Sequence, residues 1–427
     1  MRGLPSGIGP THEATPFYQM SDTPAIRQNI DSGLYNAGVA QEDTCFTLTG
    51  GQQTAVELIS RWYAARHTGP LWRRHFVLAG PAGSGKSSVI KYIISNLGLR
   101  EYEVLTCAYT GKAALNLLRK GNPGSCTLHH ALYNAEYDKA KREWRFTPKP
   151  RLDYRLVIVD EASMVPEGMF DQLMAYNVPT IFIGDHCQLP PVESDFNLML
   201  RPDFTIAEIV RQAAESPIIR ASQLAIKGKP IPFCDFNGFR KIRAGDLTEA
   251  DLTWAEQIVV GTNRLKDAFN AEARRARDFL GTIPHPGERM VVLKNSSKHN
   301  VFNGQIIFLT AESYRIHTAS FAYASNFVDE LERENAVYAL AAGRAAVQGR
   351  AFDYRLMDAR LETDLARLTR FVYLDYGYAI SCHRAQGSGW DRVLVVDDGF
   401  GFDEDTKRRW LYTAITRAKK EILIVKM

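Results

Sequence analysis

The sequence predicts an α/β protein with two units, each built on a parallel β-sheet that helices cover on both faces. Seven short, β-rich apolar runs carry this prediction, and helical stretches separate some of them. Continuous apolar runs are typical of strands buried on both faces, whereas alternating runs indicate one wet face. The length of 427 residues suits about three domains of roughly 100–200 residues each. The runs are 76–79, 103–106, 156–159, 180–183, 257–260, 392–396 and 422–425.

Composition excludes several classes of protein. Hydrophobic residues make up 45% of the chain and charged residues 23%, which is ordinary for a globular protein and excludes a collagenous or wholly disordered one. The chain lacks the run of about 18 apolar residues that a membrane helix needs, and its N-terminus lacks a signal-peptide core. Six scattered cysteines without a CxxC pair argue against disulfides and zinc. We therefore expect a cytoplasmic protein, or one in the host cytoplasm if it is viral.

Two stretches interrupt the α/β pattern. The first is highly charged and carries Trp144 and Phe146 two residues apart, a spacing that suits one face of a small β-hairpin. The second contains β-rich runs and then a charged stretch, 327–368, that we interpret as helical. The predicted boundaries are an N-terminal extension at 1–42, a first domain at 43–195 with the hairpin at about 133–153, a second domain at 196–285 and 375–427, and an inserted subdomain at 286–374.

A phosphate-binding motif follows the first apolar run. Residues 80–87 read GPAGSGKS, which fits GxxxxGK[ST] in full between a strand and a helix. The glycines let backbone N–H groups turn towards phosphate oxygens, Lys86 adds a positive charge, and the Ser87 hydroxyl suits magnesium. The motif therefore predicts binding of ATP with Mg²⁺. The predicted nucleotide-binding residues here are Gly80, Pro81, Ala82, Gly83, Ser84, Gly85, Lys86, Ser87 and Ser88.

An acidic pair ends the third apolar run. Asp160 is predicted to hold magnesium together with Ser87, and Glu161 to polarise the attacking water. The alternative is a helix cap. A carboxylate base beside the metal-binding carboxylate favours hydrolysis over phosphoryl transfer to a small acceptor.

Further motifs follow in an order that resembles the superfamily 1 helicases. The resemblance is to the RecD-like branch, and within it to the Dda-type DNA helicases of bacteriophages. It implies two RecA-like domains with ATP in the cleft between them, a β-hairpin pin in the first domain, and a small β-barrel-like and helical insertion in the second. The motifs are LTGGQ (48–52), YTGKAA (109–114), TLH (127–129), GDHCQLPP (184–191), YAISCHRAQGS (378–388) and LYTAITRAK (411–419).

The resemblance also implies roles for residues outside the phosphate loop. Gln52 would read adenine, and Gln188 would sense the γ-phosphate. Arg211 and Arg417 would reach that phosphate from the second domain, where they would offset the charge of the transferring group. Either arginine could instead be a surface residue.

The resemblance places six side chains along a path for nucleic acid. Hydroxyl, imidazole and amide groups suit contacts that ignore base sequence, and aromatic rings suit base stacking at a fork. The plainer alternatives are a strand-end cap for Thr110, a core polar group for either histidine, and rings that merely pack down on a surface hairpin for the two aromatics. Trp390, Phe302 and Tyr133 are further stacking candidates that could equally be core residues. The six are Thr110, His129, Trp144, Phe146, Asn263 and His383.

We therefore expect an ATP-dependent DNA helicase that moves 5′→3′ on single-stranded DNA and opens forks. The alternatives are a superfamily 1 RNA helicase, a translocase that strips proteins without unwinding, and an inactive ATPase that clamps DNA. The intact Lys86, Asp160, Glu161 and Arg417 argue against the clamp. Expected partners are single-stranded and fork DNA, with a single-strand-binding or replication protein in addition. We expect a monomer, since one chain holds both halves of the ATP site.

Overall fold

The computed structural model describes three β-sheets, a separate hairpin and their helices. All of these lie in the unit Leu48–Met427. The predicted extension at 1–42 lies outside the described residues. The described residues are 48–67, 72–138, 143–191, 196–210, 215–281, 284–293, 301, 303–310, 314–315, 322–329, 334–341, 371–401 and 403–427.

The first part of the chain forms a parallel sheet, as predicted. Its order is β3-β2-β6-β7-β1-β8, so that β6, β7 and β1 are neighbours and their carboxyl ends meet at one edge. The elements are α1 (Gly50–Ala64), β1 (His75–Ala79), α2 (Val89–Asn96), β2 (Val104–Ala108), α3 (Gly111–Arg119), β3 (Cys126–Thr127), α4 (Leu128–Leu132), β4 (Tyr133–Asp138), β5 (Glu143–Pro148), β6 (Leu156–Asp160), α5 (Glu167–Ala175), β7 (Thr180–Gly184) and β8 (Phe204–Thr205).

This sheet has a hydrophobic core on each face. Along β6, Leu156 and Ile158 pack into one core, while Val157 and Val159 pack into the other. Successive side chains of a strand point to opposite faces, so a strand that feeds two cores must be apolar at every position. This explains why the sequence shows continuous runs here.

The predicted boundary at residue 195 is too early. Strand β8 pairs in parallel with β1, and the Ile206 N–H donates to the Ala79 carbonyl at 2.9 Å. The first sheet therefore extends to Thr205. The sequence did not show this strand because its backbone pairing, rather than a long apolar run, holds it in place.

The second sheet has the order β18-β11-β19-β20-β10-β9 and is parallel except for its edge strand β9. Two cores again alternate along its strands, since Leu394 and Leu423 pack on one face and Val393 and Ile422 on the other. The remaining elements are α6 (Pro217–Ile226), β9 (Cys234–Phe236), β10 (Phe239–Arg243), α7 (Glu249–Trp254), β11 (Gln257–Val260), α8 (Asn263–Arg275), β12 (Arg289–Val292), β13 (Ile306–Leu309), β14 (Tyr314–Arg315), β15 (Ala322–Asp329), β16 (Glu334–Ala341), β17 (Phe371–Tyr376), β18 (Ala379–Ser381), α9 (Cys382–Ala385), β19 (Trp390–Asp397), α10 (Glu404–Ile415) and β20 (Ala418–Lys426).

The third sheet closes into a small barrel. Strand β12 pairs with β13, β13 with β15, β15 with β16, β16 with β17, and β17 with β12 again. In the described part of the chain, closure leaves these strands without a free edge, and β14 pairs with β15 along the same edge as β13. The barrel lies in the predicted inserted subdomain.

The helical interpretation of 327–368 is wrong for its described part. Strands β15 and β16 pair in antiparallel register from Ala322↔Leu340 to Val328↔Glu334. The alanine-rich composition of β16 favours a helix by propensity, but pairing within the barrel overrides that preference. Residues 342–370 lie outside the described residues.

The predicted hairpin is present as β4 and β5, which pair from Tyr133↔Pro148 to Asp138↔Glu143. Its base is anchored to the first domain, because the Lys149 N–H donates to the Leu132 carbonyl at 2.8 Å. The Tyr176 hydroxyl lies 3.0 Å from the Leu132 carbonyl and 2.8 Å from that of Lys149.

In the described part of the chain, no helix combines the length and apolarity that crossing a membrane requires.

Candidate functional site

The phosphate loop connects β1 to a short 3₁₀ turn, Lys86–Ser88, that leads into α2. Gly83 and Gly85 have φ values of 81° and 70°, which residues with a Cβ rarely adopt. The Lys86 ammonium donates to the carbonyls of Gly80 and Pro81, at 2.6 and 2.8 Å. The loop thus has the predicted strand–loop–helix setting, and the lysine is folded back over it.

Gln52 is buried against the phosphate loop. Its Nε2 donates to the Ser84 carbonyl at 2.9 Å, and its Oε1 accepts from the Thr49 N–H at 3.0 Å. A Cβ on Gly85 would lie only 2.5 Å from Nε2, so that glycine permits the close contact. Gln52 therefore supports the loop directly, whereas its contact with adenine stays a prediction.

The acidic pair lies beside the loop because β6 and β1 end at the same edge of the sheet. The Ser87 hydroxyl donates to Asp160 Oδ2 at 2.8 Å, and the Glu161 N–H donates to Asp160 Oδ1 at 2.9 Å. Two oxygen ligands from Ser87 and Asp160 therefore lie side by side, which fits the preference of magnesium for oxygen. Burial and then the neighbouring Asp160 raise the pKa of Glu161, while the charges of Arg417 and Lys86 oppose the rise.

The segment after β7 adds a third set of polar groups at this edge. The buried Asp185 accepts from the Cys187 N–H at 2.9 Å and from Gln188 Nε2 at 3.3 Å. The other amide atom of Gln188, Oε1, is buried and has no hydrogen-bond partner in the part of the chain that the structure describes. The structure thus places Gln188 beside the predicted phosphate site, although its contact with phosphate stays a prediction.

Helix α10 of the second domain contacts this edge across the cleft. The Tyr412 hydroxyl accepts from the Ala82 N–H at 2.6 Å and donates to Asp185 Oδ2 at 2.8 Å. The Leu189 N–H donates to Thr413 Oγ1 at 3.0 Å, and Arg409 Nη1 donates to the His186 carbonyl at 2.5 Å. These contacts join the first domain to the second at the carboxyl edge of the first sheet. This edge, which carries the phosphate loop, Asp160 and the segment after β7, is called the nucleotide edge below.

The sequence analysis missed these contacts from α10. Their signal was the spacing of Arg409, Tyr412 and Thr413, because positions i, i+3 and i+4 lie on one face of a helix. Two of the three lie inside the segment 411–419, in which only Arg417 received a role.

Arg417 lies behind this face and is 4% exposed. Its guanidinium donates to the carbonyls of Thr413 and Ser388, at 2.9 and 3.0 Å, and to Thr416 Oγ1 at 3.0 Å. The structure therefore shows it held by its own domain, near enough to Glu161 for its charge to act on that carboxyl. Arg211 lies outside the described residues.

A second contact between the domains lies at the predicted nucleic-acid side. Thr110 caps the N-terminus of α3, accepting from the Ala113 N–H at 3.2 Å. A Cβ on Gly387 would approach Thr110 Oγ1 to 2.9 Å, so the two segments are in close contact. Asn116 Nδ2 also donates to the Gly387 carbonyl at 3.1 Å.

The other nucleic-acid candidates differ in exposure. His129 and Asn263 are exposed, whereas His383 is half-buried, and burial lowers the pKa of the His383 imidazole. Phe146 on the hairpin is 59% exposed, whereas the side chain of Trp144 lies outside the described residues.

Of the three further stacking candidates, Trp390 is a core residue with Lys112 over its ring at 4.4 Å, so it cannot stack bases. Tyr133 is half-buried, with its ring 6.1 Å from that of His129. Phe302 lies outside the described residues.

Two family models match this chain. One, described as an AAA domain, matches residues 62–244, and the other, a UvrD-like helicase C-terminal domain, matches residues 376–425. The ATP-dependent RecD2 DNA helicase of Deinococcus radiodurans is 28% identical over 81% of this chain. The ATP-dependent DNA helicase dda of Enterobacteria phage T4 is 28% identical over 66% of this chain and 69% of its own. The chain is thus similar in sequence to helicases of the RecD-like branch of superfamily 1.

The fold of this RecD-like chain is shared with solved structures. The crystal structure of Bacteroides Pif1 bound to ssDNA has a TM-score of 0.53 and 17% identity, covering 89% of this chain and 92% of that one. This likeness agrees with two RecA-like domains. The RecD-like chain spans less than half of the RecD2 relative, since the match takes in 46% of that protein.

Proposed function

We propose that this chain is an ATP-dependent DNA helicase that moves 5′→3′ on single-stranded DNA and separates the duplex ahead of it. The observation that carries the proposal is the set of hydrogen bonds that cross the cleft between the two domains. The phosphate loop and the segment after β7 in the first domain are hydrogen-bonded to α10 of the second. Closure of the cleft therefore changes the surroundings of the nucleotide, which is how hydrolysis can drive domain movement. The relatives named above as DNA helicases support DNA as the substrate.

The proposed chemistry uses residues at the carboxyl edge of the first sheet. Lys86 would exchange its two carbonyl contacts for phosphate oxygens, which are stronger acceptors because they are charged. Glu161 would take the proton from the attacking water, and its raised pKa makes it a better base than an ordinary carboxylate. Ser87 and Asp160 would hold magnesium, which supplies charge neutralisation at the phosphates when bound.

Arg417 and Arg211 are proposed to stabilise the charge that spreads over the transferring phosphoryl group. Arg417 must release its carbonyl contacts with Thr413 and Ser388 to do so. This exchange would make hydrolysis depend on the arrangement of the second domain. We also propose Gln52 as the adenine contact, through the second N–H of its side-chain amide.

The strand is proposed to run past α3, α4 and α9 to the hairpin. Thr110, His129, Asn263 and His383 would contact phosphates, and Phe146 would stack at the fork with Trp144. The chain would act as a monomer, because it supplies both sides of the cleft, and in the cytoplasm of the cell or of the host of a virus. A single-strand-binding or replication protein is the further partner we propose.

The test is duplex unwinding with ATP and magnesium, on DNA that carries either a 5′ or a 3′ single-stranded tail. We expect unwinding of the 5′-tailed duplex alone, and loss of both unwinding and ATP turnover in Lys86→Ala. Unwinding of the 3′-tailed duplex alone would contradict the polarity.

Two further outcomes separate the alternatives. ATP turnover that DNA stimulates without strand separation would indicate a translocase that displaces proteins. Faster unwinding of a matched RNA duplex would indicate an RNA helicase, and undiminished turnover in Lys86→Ala would refute the assigned site.

A further inference from the structure

The hydroxyl of Tyr412 is the starting point, because it joins two parts of the nucleotide edge from the opposite domain. The side chain is 1% exposed, and its single oxygen contacts the Ala82 N–H at 2.6 Å and Asp185 Oδ2 at 2.8 Å. A phenol has one hydrogen to donate and lone pairs to accept, while an ionised carboxylate only accepts. The hydroxyl therefore accepts from Ala82 and donates to Asp185.

The Asp185 carboxylate in turn determines how the Gln188 amide is oriented. Its Oδ2 also accepts from Gln188 Nε2, at 3.3 Å. Because the carboxylate can only accept, the Gln188 amide must turn its nitrogen towards Asp185 and its oxygen away. The oxygen, Oε1, is buried without a partner among the described residues, and a buried acceptor of this kind is stabilised by a donor.

We propose that Tyr412 is a positioning residue for ATP hydrolysis, which orients Gln188 through Asp185 so that Gln188 Oε1 accepts a hydrogen bond from the attacking water. The proposal rests on the function proposed above. It adds the role of Tyr412 and the direction of the hydrogen bond between the water and Gln188. A phosphate oxygen is itself an acceptor and cannot bond to Oε1, whereas a water molecule has two hydrogens to donate.

In the resulting step, the water oxygen bonds to the γ-phosphorus as the bond to the bridging oxygen breaks. One water proton passes to Glu161, and the other remains with the oxygen held by Gln188. ADP leaves with the bridging oxygen, and the charge and atoms of ATP, water and the Glu161 carboxylate are conserved in ADP, hydrogen phosphate and protonated Glu161. Tyr412 touches none of the reacting atoms.

The arrangement depends on the closed cleft. Both partners of the hydroxyl belong to the first domain, whereas Tyr412 belongs to α10 of the second, so opening the cleft breaks both bonds together. Burial, chiefly, and then the charge of Asp185 raise the pKa of Tyr412 well above its usual value, so the hydroxyl keeps its proton at neutral pH. When the domains part, Asp185 loses this donor, so the carboxylate that orients Gln188 is itself held less firmly.

The test is Tyr412→Phe, which removes one oxygen and leaves the ring. With single-stranded DNA and saturating magnesium, we expect kcat for ATP hydrolysis to fall about tenfold, the effect of losing one hydrogen bond to a charged group. The KM for ATP should change less than twofold. The matched control is Tyr63→Phe, another buried tyrosine whose hydroxyl donates to the Arg155 carbonyl within the first domain; its kcat should not change.

A double-mutant cycle then separates positioning from general loss of structure. If Tyr412 acts through Gln188, Tyr412→Phe has no further effect on kcat in a Gln188→Ala background. Additive losses in the two variants would overturn the proposal. Should Tyr412→Phe not fold, Asp185→Asn cuts the same chain of bonds at its middle and should show the same kcat loss and the same non-additivity.

The outcomes distinguish this inference from the proposed function. A wild-type chain without ATP turnover refutes both. A wild-type chain that hydrolyses ATP, with Tyr412→Phe at full kcat, refutes the role of Tyr412 and leaves the helicase assignment intact.

Discussion

Glu161, which we propose as the catalytic base, has an unusual backbone conformation and an unusual pKa. It follows β6 with a φ of 53°, a conformation that costs a residue with a side chain roughly 1–2 kcal/mol. Burial and the charge of Asp160 raise the pKa of its carboxyl, and Arg417 and Lys86 only partly offset the rise. Both properties oppose stability of the folded chain, which is common at positions kept for chemistry.

Replacing this carboxyl should therefore stabilise the fold while ending turnover. A raised pKa means that the folded state disfavours the ionised carboxyl, so stability is lost as pH rises from 4.5 through the folded-state pKa. Each unit of the rise corresponds to about 1.4 kcal/mol. Glu161→Gln should raise the free energy of unfolding at pH 8, measured by urea denaturation without nucleotide, and abolish ATP hydrolysis.

The pH dependence supplies the control. The stability difference between wild type and Glu161→Gln should disappear near pH 4, where the wild-type carboxyl is protonated in both states. A difference that is equal at pH 4 and pH 8 would show that something other than ionisation is responsible.

Sequence motifs predicted the residues that lie directly at the end of a strand. Lys86, Ser87, Asp160 and Glu161 lie beside one another because β1 and β6 end at the same edge, and this follows from local sequence and a parallel sheet. The contacts of Tyr412 depend instead on how two domains dock, which no local pattern encodes.

At the scale of elements, apolar periodicity predicted the long buried strands and missed the short ones. Strands β3, β8 and β18 have only two or three residues, and their partners rather than their composition hold them in place. The error at β16 has the same cause, since propensity described a segment whose pairing in the barrel decided its conformation. The hairpin was predictable because its signal, two aromatics at period two, is local.

The hairpin should affect the rate of strand separation but not the rate of ATP hydrolysis. Phe146 is 59% exposed on β5, and stacking of a base on an aromatic ring contributes about 1–3 kcal/mol. Phe146→Ala should slow unwinding of a 5′-tailed duplex about tenfold, while ATP turnover on single-stranded DNA stays within twofold. Stopped-flow strand separation and steady-state ATPase assays measure the two.

Phe236→Ala is the matched control, since that ring is also exposed, at 68%, but lies on β9 of the second sheet. It should leave unwinding unchanged. Equal effects of the two substitutions would show that the hairpin ring has no special role.

At the scale of the whole molecule, a buried ion pair fastens the barrel to the second domain. Arg274 on α8 donates to both carboxylate oxygens of Glu288, at 2.5 and 3.2 Å, and Glu288 immediately precedes β12. Glu288 is 0% exposed and also accepts from the His285 N–H. Because the pair is buried, removing one member leaves an uncompensated charge.

Glu288→Gln should therefore destabilise the chain by about 3–5 kcal/mol. Urea denaturation followed by tryptophan fluorescence would measure the loss. Glu404→Gln is the control, because Glu404 pairs with Lys407 on the surface and such pairs contribute at most about 1 kcal/mol. A loss below 1 kcal/mol in Glu288→Gln would mean that the barrel is held by its apolar contacts.

Among the described residues, hydrogen bonds join the two domains both at the nucleotide edge, through α10, and at α3, through Gly387. Because rigid domains move as units, a change at one contact must alter the other. In the helicase proposed above, this coupling would relate the state of the nucleotide to the grip on a strand.

The pairing of β12 with β17 has a consequence for the history of such chains. The polypeptide leaves the second domain along β12 and returns along β17, and Met290 lies opposite Tyr376 in the same ladder. Opposed residues of an antiparallel pair are about 5 Å apart, so exit and return are neighbours. Anything whose ends meet at that spacing, from a tight turn to a whole module, can occupy the position without disturbing the sheet that supports it. The segment between β12 and β17 could therefore be enlarged, shortened or exchanged during evolution while the second domain kept its structure.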